Sequence, residues 1–122
     1  MIAGSIDYFL AARVRLTVRG PVGEQEVEAQ LDTGYNGFLS VPEPILQALG
    51  LAPVTTSQMK LGDGTVVKLP LYHSTVLWNG SERKVETDAP DGLCLLGMSL
   101  LEGHDVRLRV ITNGRVEIEP IP

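Results

Sequence analysis

The sequence predicts a mostly β protein with one or two short helices, folded as a single domain over residues 1–122. The pairs Asp63-Gly64, Asn79-Gly80 and Asn113-Gly114 each separate two segments of strand-like composition. Such pairs favour type I′ hairpin turns, because both central residues of that turn need a positive φ. The flanking segments also alternate apolar and polar residues, which is the period of a half-buried strand. A length of 122 residues fits one domain.

The first strands follow from this alternation. Residues 12–18 and 25–31 both alternate, and the Gly-Pro-Val-Gly segment at 20–23 joins them as a loop. Residues 65–78 form a longer extended stretch that Pro70 interrupts, which indicates a bend or a sheet edge. The residues predicted to face inward on the first two strands are Ala12, Val14, Leu16, Val18, Val27, Ala29 and Leu31.

The pattern in the rest of the chain predicts further strands joined by tight turns. Asn79-Gly80 is expected to form a turn that leads into a strand at residues 82–88. Residues 106–110 alternate valine or leucine with arginine. Asn113-Gly114 predicts a turn that connects this segment to a strand at residues 116–118. Each segment is therefore expected to place one face against a core.

Two short helices are expected between the strands. Residues 42–49 begin with prolines and stop at Gly50, a pattern typical of a helix with proline near its start and glycine after its end. Residues 98–102 predict a shorter helix that ends at Gly103.

Charge and hydropathy exclude two classes of partner. Ten Lys and Arg against fifteen Asp and Glu give a net charge of −5, whereas nucleic-acid binding needs a basic surface. No apolar run approaches the roughly 18 residues that predict a membrane span. We therefore expect neither a nucleic-acid nor a membrane partner.

Cysteine and histidine usage predicts a protein without disulfides or metals. Cys94 is the only cysteine, and its neighbours Leu93 and Leu95 indicate a buried, unreactive thiol. His73 and His104 are isolated from other metal-ligand types, so we expect no metal and no cofactor. The first ten residues lack the basic start of a secretory signal, and a cytoplasmic location is expected.

The sharpest chemical feature is Asp32-Thr33-Gly34, which follows an alternating strand. Taken alone, the triplet is equally consistent with an Asx turn closing a hairpin. With its neighbours, however, Leu31-Asp32-Thr33-Gly34 resembles the active-site loop of aspartic proteases. The segment 95–101, Leu-Leu-Gly-Met-Ser-Leu-Leu, resembles the second hallmark of the retroviral-type (retropepsin-like) members. The order and spacing agree over roughly residues 12–118, closest to the small single-domain prokaryotic members.

The resemblance implies a closed acid-protease-type β-barrel that forms half of a two-fold dimeric enzyme. Leu96 and Gly97 would shape the loop beside the catalytic Asp32, and Thr33 would hydrogen-bond across to the partner loop. The hairpin at Gly62, Asp63 and Gly64 stands where the family carries the flap that closes over the substrate. Trp78, next to a turn, is expected to pack at a strand end.

One departure concerns the residue after the triplet. Viral enzymes usually carry a small residue there, whereas this chain has Tyr35, followed by Asn36-Gly37-Phe38. That difference bears on the substrate pockets rather than on the chemistry of Asp32. Gly34 itself is expected to let the turn close tightly and bring backbone N–H groups near the carboxylate.

The chemistry of peptide hydrolysis and the single Asp-Thr-Gly triplet together predict a homodimer. Peptide hydrolysis without a metal or a covalent intermediate can use two carboxylates that share one proton, one activating water and the other polarising the carbonyl. Asp32 is the only aspartate followed by Thr-Gly or Ser-Gly. One chain therefore supplies half of the pair, and an active enzyme needs Asp32 from two chains.

Three functions remain open from the sequence. The first is a homodimeric aspartic endopeptidase acting on a peptide or protein substrate. The second is a catalytically inactive dimer of the same fold that binds peptides or partners. The third is an unrelated small β-barrel that binds a small molecule, which the agreement of three ordered motifs disfavours.

Overall fold

Ten β-strands form one continuous sheet in the computed structural model, which describes residues 1–90, 92 and 94–122. The strands are β1 (Ile2–Ile6), β2 (Ala12–Gly20), β3 (Gly23–Leu31), β4 (Leu39–Ser40), β5 (Thr55–Lys60), β6 (Val66–Trp78), β7 (Ser81–Asp88), β8 (Leu95–Leu96), β9 (His104–Leu108) and β10 (Arg115–Pro120). The helices are α1 (Glu43–Ala48) and α2 (Met98–Leu101). Leu93, predicted to flank a buried thiol, lies outside the described residues.

Six of these strands close into a barrel. The ring runs β2–β3–β8–β4–β7–β6 and closes where β6 pairs with β2, at Val18 opposite Val76. Two parallel pairs, β3 with β8 and β4 with β7, lie within this ring of otherwise antiparallel pairs. The predicted closed all-β architecture is confirmed.

The other four strands extend the sheet beyond the barrel in two places. β5 pairs with the first half of β6 and leaves the barrel wall as a hairpin. β1 pairs with β2, β10 pairs with β1, and β9 pairs with β10 to form the far edge of the sheet. The strand β1 carries no clear alternation and was not predicted from the sequence.

The core is built by the alternating faces that the sequence predicts. Along β2 and β3 every predicted inward residue is buried except Leu31, which is half-buried. Leu46 of α1 and Leu100 of α2 belong to the same core and are fully buried. Burying a side chain such as leucine is worth roughly 1.5–3 kcal/mol, so these short helices are held by packing rather than by their own length.

Both predicted helices are confirmed, each slightly shorter than its predicted range. α1 begins after Pro42, and α2 begins after Gly97. In the part of the chain that the structure describes, no helix is long and apolar enough to cross a membrane. Pro70 lies where β6 pairs with β5 alone, which confirms its predicted edge position.

The three predicted hairpins form, but only one has the predicted type I′ turn. Asn79 and Gly80 both have positive φ, 52° and 78°, and join Trp78 to Ser81 as a two-residue turn. At Asp63-Gly64 only the glycine has a positive φ, and the turn spans residues 61–65. The predicted type I′ turn is wrong there because the β5–β6 ladder ends at Lys60 opposite Val66, which leaves five residues to connect.

The predicted type I′ turn is also wrong at Asn113-Gly114, where only Asn113 has a positive φ. The connection between β9 and β10 spans residues 109–114 and folds back on itself. A Cβ on Gly114 would lie 1.8 Å from the carbonyl oxygen of Arg109. Gly114 is therefore needed for close backbone approach rather than for its φ.

The alternating residues of β9 are less buried than the sequence pattern predicts. Val106 and Leu108 are 38% and 44% exposed, and Val110 beyond the strand is 58% exposed. Ile118 and Val116, the β10 partners of Val106 and Leu108, are fully buried, so this apolar face of β9 is incompletely covered.

Replacing Gly114 with alanine is expected to lower the free energy of unfolding by about 1–3 kcal/mol, because the new Cβ would displace the backbone of Arg109. Urea denaturation measures the loss. Gly62→Ala is the matched control, since a Cβ there meets nothing within 4 Å and its φ is ordinary. Equal stability of the two variants would contradict the close-approach explanation.

Candidate active site

Asp32 stands immediately after β3, at the end of the barrel. β3 pairs in parallel with β8, with Leu31 opposite Leu96, and the Asp32 N–H continues the ladder by donating to the Leu96 carbonyl at 3.1 Å. The strand pairing therefore fixes where the Asp32 side chain leaves the sheet.

A tight turn holds the Asp32 carboxylate. The backbone N–H of Gly34 donates to Asp32 Oδ1 at 2.8 Å, and the N–H of Tyr35 donates to the Asp32 carbonyl at 3.1 Å. A Cβ on Gly34 would lie 3.2 Å from Asp32 Oδ1, closer than an ordinary contact. Asp32 is half-buried, whereas the Thr33 side chain is exposed at the surface of the chain.

Backbone hydrogen bonds join this loop to the start of α2. The N–H groups of residues 97, 98 and 99 donate to the carbonyls of residues 38, 35 and 37, at 3.0, 2.8 and 3.1 Å. The Ser99 hydroxyl adds a bond to the Asn36 carbonyl. We call this contact the loop–helix junction, residues 35–38 against 97–99.

Gly97 makes the loop–helix junction possible. A Cβ at this position would lie 2.0 Å from the Gly37 carbonyl oxygen and 2.7 Å from the ring of Tyr35. Leu96, just before it, is fully buried. The pair therefore lies behind the loop that carries Asp32 and supports it.

The Tyr35 side chain turns inward beneath the loop. It is 9% exposed, and its hydroxyl donates to Asp88 Oδ2 at 2.5 Å, with the Leu39 carbonyl oxygen 3.1 Å away. Burial, and then the hydrogen bond to Asp88, raise the pKa of Tyr35 well above its usual range. The hydroxyl therefore stays protonated at ordinary pH and donates a hydrogen bond to the Asp88 carboxylate.

Asp88 links Tyr35 to the hairpin that leaves the barrel. Its second oxygen, Oδ1, accepts from the hydroxyl of Ser57 on β5. We call these three residues the Tyr35–Asp88–Ser57 bridge. It connects the loop of Asp32 to the first strand of the β5–β6 hairpin.

The tip of that hairpin is an ordered turn. Leu61 N–H donates to the Thr65 carbonyl at 2.7 Å, and Thr65 N–H donates to Asp63 Oδ1 at 2.9 Å. The bonds from Thr65 lower the pKa of Asp63, which keeps this acceptor ionised. The predicted flap residues Gly62, Asp63 and Gly64 are all exposed.

A cavity of about 780 Å³ separates the hairpin from the Asp32 loop. Asp32 and Gly34 line its floor, and residues 57–62 line its roof. The structure thus brings Asp32 and one predicted flap residue, Gly62, to a single space. A second groove of about 500 Å³, on the other side of the loop, is lined by Asp32 and Thr33.

Other residues named from the sequence lie apart from this cavity. Cys94 is half-buried, and burial raises the pKa of its thiol to about 11. Trp78 is buried at a strand end as predicted, and its indole N–H donates to His104 Nε2 at 3.1 Å. Among residues 1–90, 92 and 94–122, no three His, Cys, Asp or Glu side chains converge in a metal-binding arrangement.

Sequence reasoning missed two members of the bridge. Ser57 and Asp88 carry no local signal, because their meeting depends on how β5 and β7 both pair with β6. Tyr35 did carry a signal, namely a large aromatic residue where the resembling viral loops have a small one. Its inward direction explains how the loop accommodates it.

Replacing Tyr35 with phenylalanine is expected to lower the free energy of unfolding by about 1–3 kcal/mol, because it removes a donor from the part-buried Asp88 carboxylate. Thermal or urea denaturation measures the change. Tyr8→Phe is the matched control, since Tyr8 is 80% exposed. If both variants unfold like the wild type, the Tyr35–Asp88 bond contributes nothing to stability.

The fold is similar to that of a solved structure, the crystal structure of a retropepsin-like aspartic protease from Rickettsia conorii. The two share a TM-score of 0.58 and 16% sequence identity, over 97% of this chain and 87% of that chain. No family model and no curated protein matches the sequence. At that identity the likeness establishes the fold, so this chain has a retropepsin-like fold.

Proposed function

We propose that this chain is one subunit of a homodimeric aspartic endopeptidase. The observation that carries the proposal is the position of Asp32, at the end of a retropepsin-like barrel, on the floor of a cavity roofed by residues 57–62. The neighbour of similar fold is described as an aspartic protease, and Asp32-Thr33-Gly34 resembles the active-site triplet of such enzymes. A cytoplasmic location is part of the same proposal.

In the proposed reaction, two Asp32 carboxylates hold one proton and one water between them. The ionised carboxylate takes a proton from water as the water oxygen bonds to the peptide carbonyl carbon, and the protonated one donates to the carbonyl oxygen. In the second step the roles reverse. One carboxylate takes a proton from the tetrahedral intermediate and the other gives its proton to the leaving nitrogen, as the C–N bond breaks.

The turn around Asp32 supports a role of its carboxylate as acid and base. The N–H of Gly34 donates to Asp32 Oδ1 and so fixes the orientation of the carboxylate. Two carboxylates about 3 Å apart cannot both ionise, so the pair is expected to titrate in two steps. Thr33, which is exposed in the single chain, would hydrogen-bond to the loop of the partner subunit.

The substrate is proposed to lie extended between the cavity floor and the hairpin. The cavity of about 780 Å³ offers apolar contacts from Met59, Leu71 and Leu95. Closure of the hairpin tip, Gly62 to Gly64, would exclude water and add main-chain hydrogen bonds. The alternative from the sequence, an inactive dimer that binds peptides, uses the same cavity and differs only in lacking cleavage.

Replacing Asp32 with asparagine is expected to lower peptide cleavage by at least about 100-fold, because both the base and the acid are lost from the pair. Cleavage of a peptide library is measured across acidic and neutral pH, with oligomeric state checked by sedimentation. Glu24→Gln is the charge-matched control, since Glu24 is exposed on β3 and does not line the cavity.

Three outcomes decide between the functions. Cleavage by the wild type and by Glu24→Gln, but not by Asp32→Asn, supports the proposal. Undiminished cleavage by Asp32→Asn rejects it. Tight peptide binding without cleavage by the wild type favours the inactive, peptide-binding dimer.

A further inference from the structure

The β5–β6 hairpin that roofs the cavity has no share in the hydrophobic core. The structure describes every residue from 55 to 70, and none of them is buried. The strand β6 gains β7 as a second neighbour only from Leu71 onward, where Leu71 lies opposite both Thr55 and Asp88. Before that point the hairpin is two-stranded, and two strands alone are only marginally stable in water. Other contacts with the barrel therefore hold it in place.

Main-chain hydrogen bonds hold only the base of the hairpin. The Val54 N–H donates to the Leu71 carbonyl at 2.8 Å, just before β5 begins. Toward the tip, the hydrogen bonds that residues 58–65 make with described residues all lie within the hairpin. Main-chain bonding alone would therefore leave most of the hairpin free of the barrel.

A side-chain bond reaches further along the hairpin than the main-chain bond at its base. Ser57 on β5 lies opposite Leu69, two residues nearer the tip than the pair of Thr55 with Leu71. The Ser57 hydroxyl donates to Asp88 Oδ1, and Asp88 is the last residue of β7 in the barrel wall. Among the described residues, this is the hydrogen bond nearest the tip that joins the hairpin to the barrel.

Two donors fix the Asp88 carboxylate from different sides. The buried Tyr35 hydroxyl donates to Oδ2 at 2.5 Å, while Ser57 donates to Oδ1. Hydrogen bonds to an ionised carboxylate are stronger than those between neutral groups. The Tyr35 N–H also donates to the Asp32 carbonyl. One carboxylate therefore joins the hairpin to the turn that carries Asp32.

We propose that Asp88 is a positioning residue that anchors the hairpin over Asp32, with the Ser57–Asp88 bond as the boundary between its fixed base and its moving tip. Residues 58–65 close over a bound peptide, while the chain up to residue 57 stays attached to the barrel. The part of this inference that concerns peptide binding rests on the proposed function, whereas the anchoring of the hairpin does not.

The anchor depends on the Ser57 hydroxyl. Ser57 is half-buried, so the bond to Asp88 is partly shielded from water. Removing the hydroxyl leaves Asp88 Oδ1 without this donor and leaves β5 held by β6 and by the bond at Val54. The hairpin then opens more often, because its two strands have little stability of their own.

Two variants of nearly the same shape test the anchor. Ser57→Val removes the hydroxyl, and Ser57→Thr keeps it. Trypsin cleavage after Lys60, on β5, is expected to be about 10-fold faster in Ser57→Val, because loss of a hydrogen bond to a charged group shifts local opening by about that factor. Mass spectrometry of timed samples measures the rate. Ser57→Ala repeats the loss of the hydroxyl without the bulk of valine.

Two controls separate anchoring from a general loosening of the fold. Lys84 is exposed on β7 in the barrel wall, so cleavage after Lys84 is expected to stay unchanged in every variant. Thr56→Val removes a hydroxyl from the neighbouring residue of β5, which is exposed and does not line the cavity. Its cleavage after Lys60 is expected to match that of the wild type.

Peptide kinetics test the link to binding. The KM of Ser57→Val is expected to be about 3- to 10-fold above that of Ser57→Thr, because an unanchored roof must be ordered when the peptide binds. The change in kcat is expected to be smaller, since the Gly34 N–H that holds the Asp32 carboxylate does not involve Ser57. A fall in kcat with an unchanged KM overturns the role of the anchor in binding.

The outcomes separate this inference from the proposed function. Faster cleavage after Lys60 in Ser57→Val and Ser57→Ala, with Ser57→Thr like the wild type, supports the anchor. That support stands even if the wild type cleaves no peptide, a result that rejects only the enzyme proposal. Equal rates in Ser57→Val and Ser57→Thr overturn the anchor, as does an equal rise after Lys60 and Lys84, whatever peptides the chain cleaves.

Discussion

The loop–helix junction is the contact on which the rest of the candidate site depends. Three backbone hydrogen bonds join residues 35–38 to residues 97–99, and they form only because Gly97 leaves space for the Gly37 carbonyl. The parallel pairing of β3 with β8 ends directly beside this contact. The position of Asp32 is therefore fixed from both sides by main-chain geometry, which leaves little freedom for its side chain to shift.

The same junction explains how a large residue can follow the triplet. The ring of Tyr35 packs against both glycines of the junction, and its hydroxyl reaches Asp88 beneath the loop. Asp88 in turn accepts from Ser57 on the outlying hairpin. The distance between the floor and the roof of the cavity is thus set by a polar bridge inside one chain. Polar bridges of this kind are directional, so they specify a position more narrowly than apolar packing does.

Local pattern in the sequence was enough to predict strands that alternate clearly, but not the features that depend on how the strands pair. Alternation identified β2 and β3 because a period of two is a property of the strand itself. The type I′ turn predicted at Asn79-Gly80 is correct because the β6–β7 pairing continues to the two residues that flank this pair. At Asp63-Gly64 and Asn113-Gly114 the strand pairing ends several residues before the pair, so a longer connection forms. Alternation also gave the faces of β9 without showing that one of them would stay uncovered, since coverage depends on other parts of the fold.

In the candidate site, the sequence indicated Asp32 and its supporting glycines but not their polar neighbours. Asp32-Thr33-Gly34 acts through local backbone bonds, so its geometry follows from adjacent residues. Asp88 acts through hydrogen bonds with Ser57 and Tyr35, which lie 31 and 53 positions earlier in the chain, and no local pattern encodes such contacts. The position of Asp88 relative to Ser57 depends instead on the pairing of β5 and β7 with the two halves of β6, which the whole sheet defines.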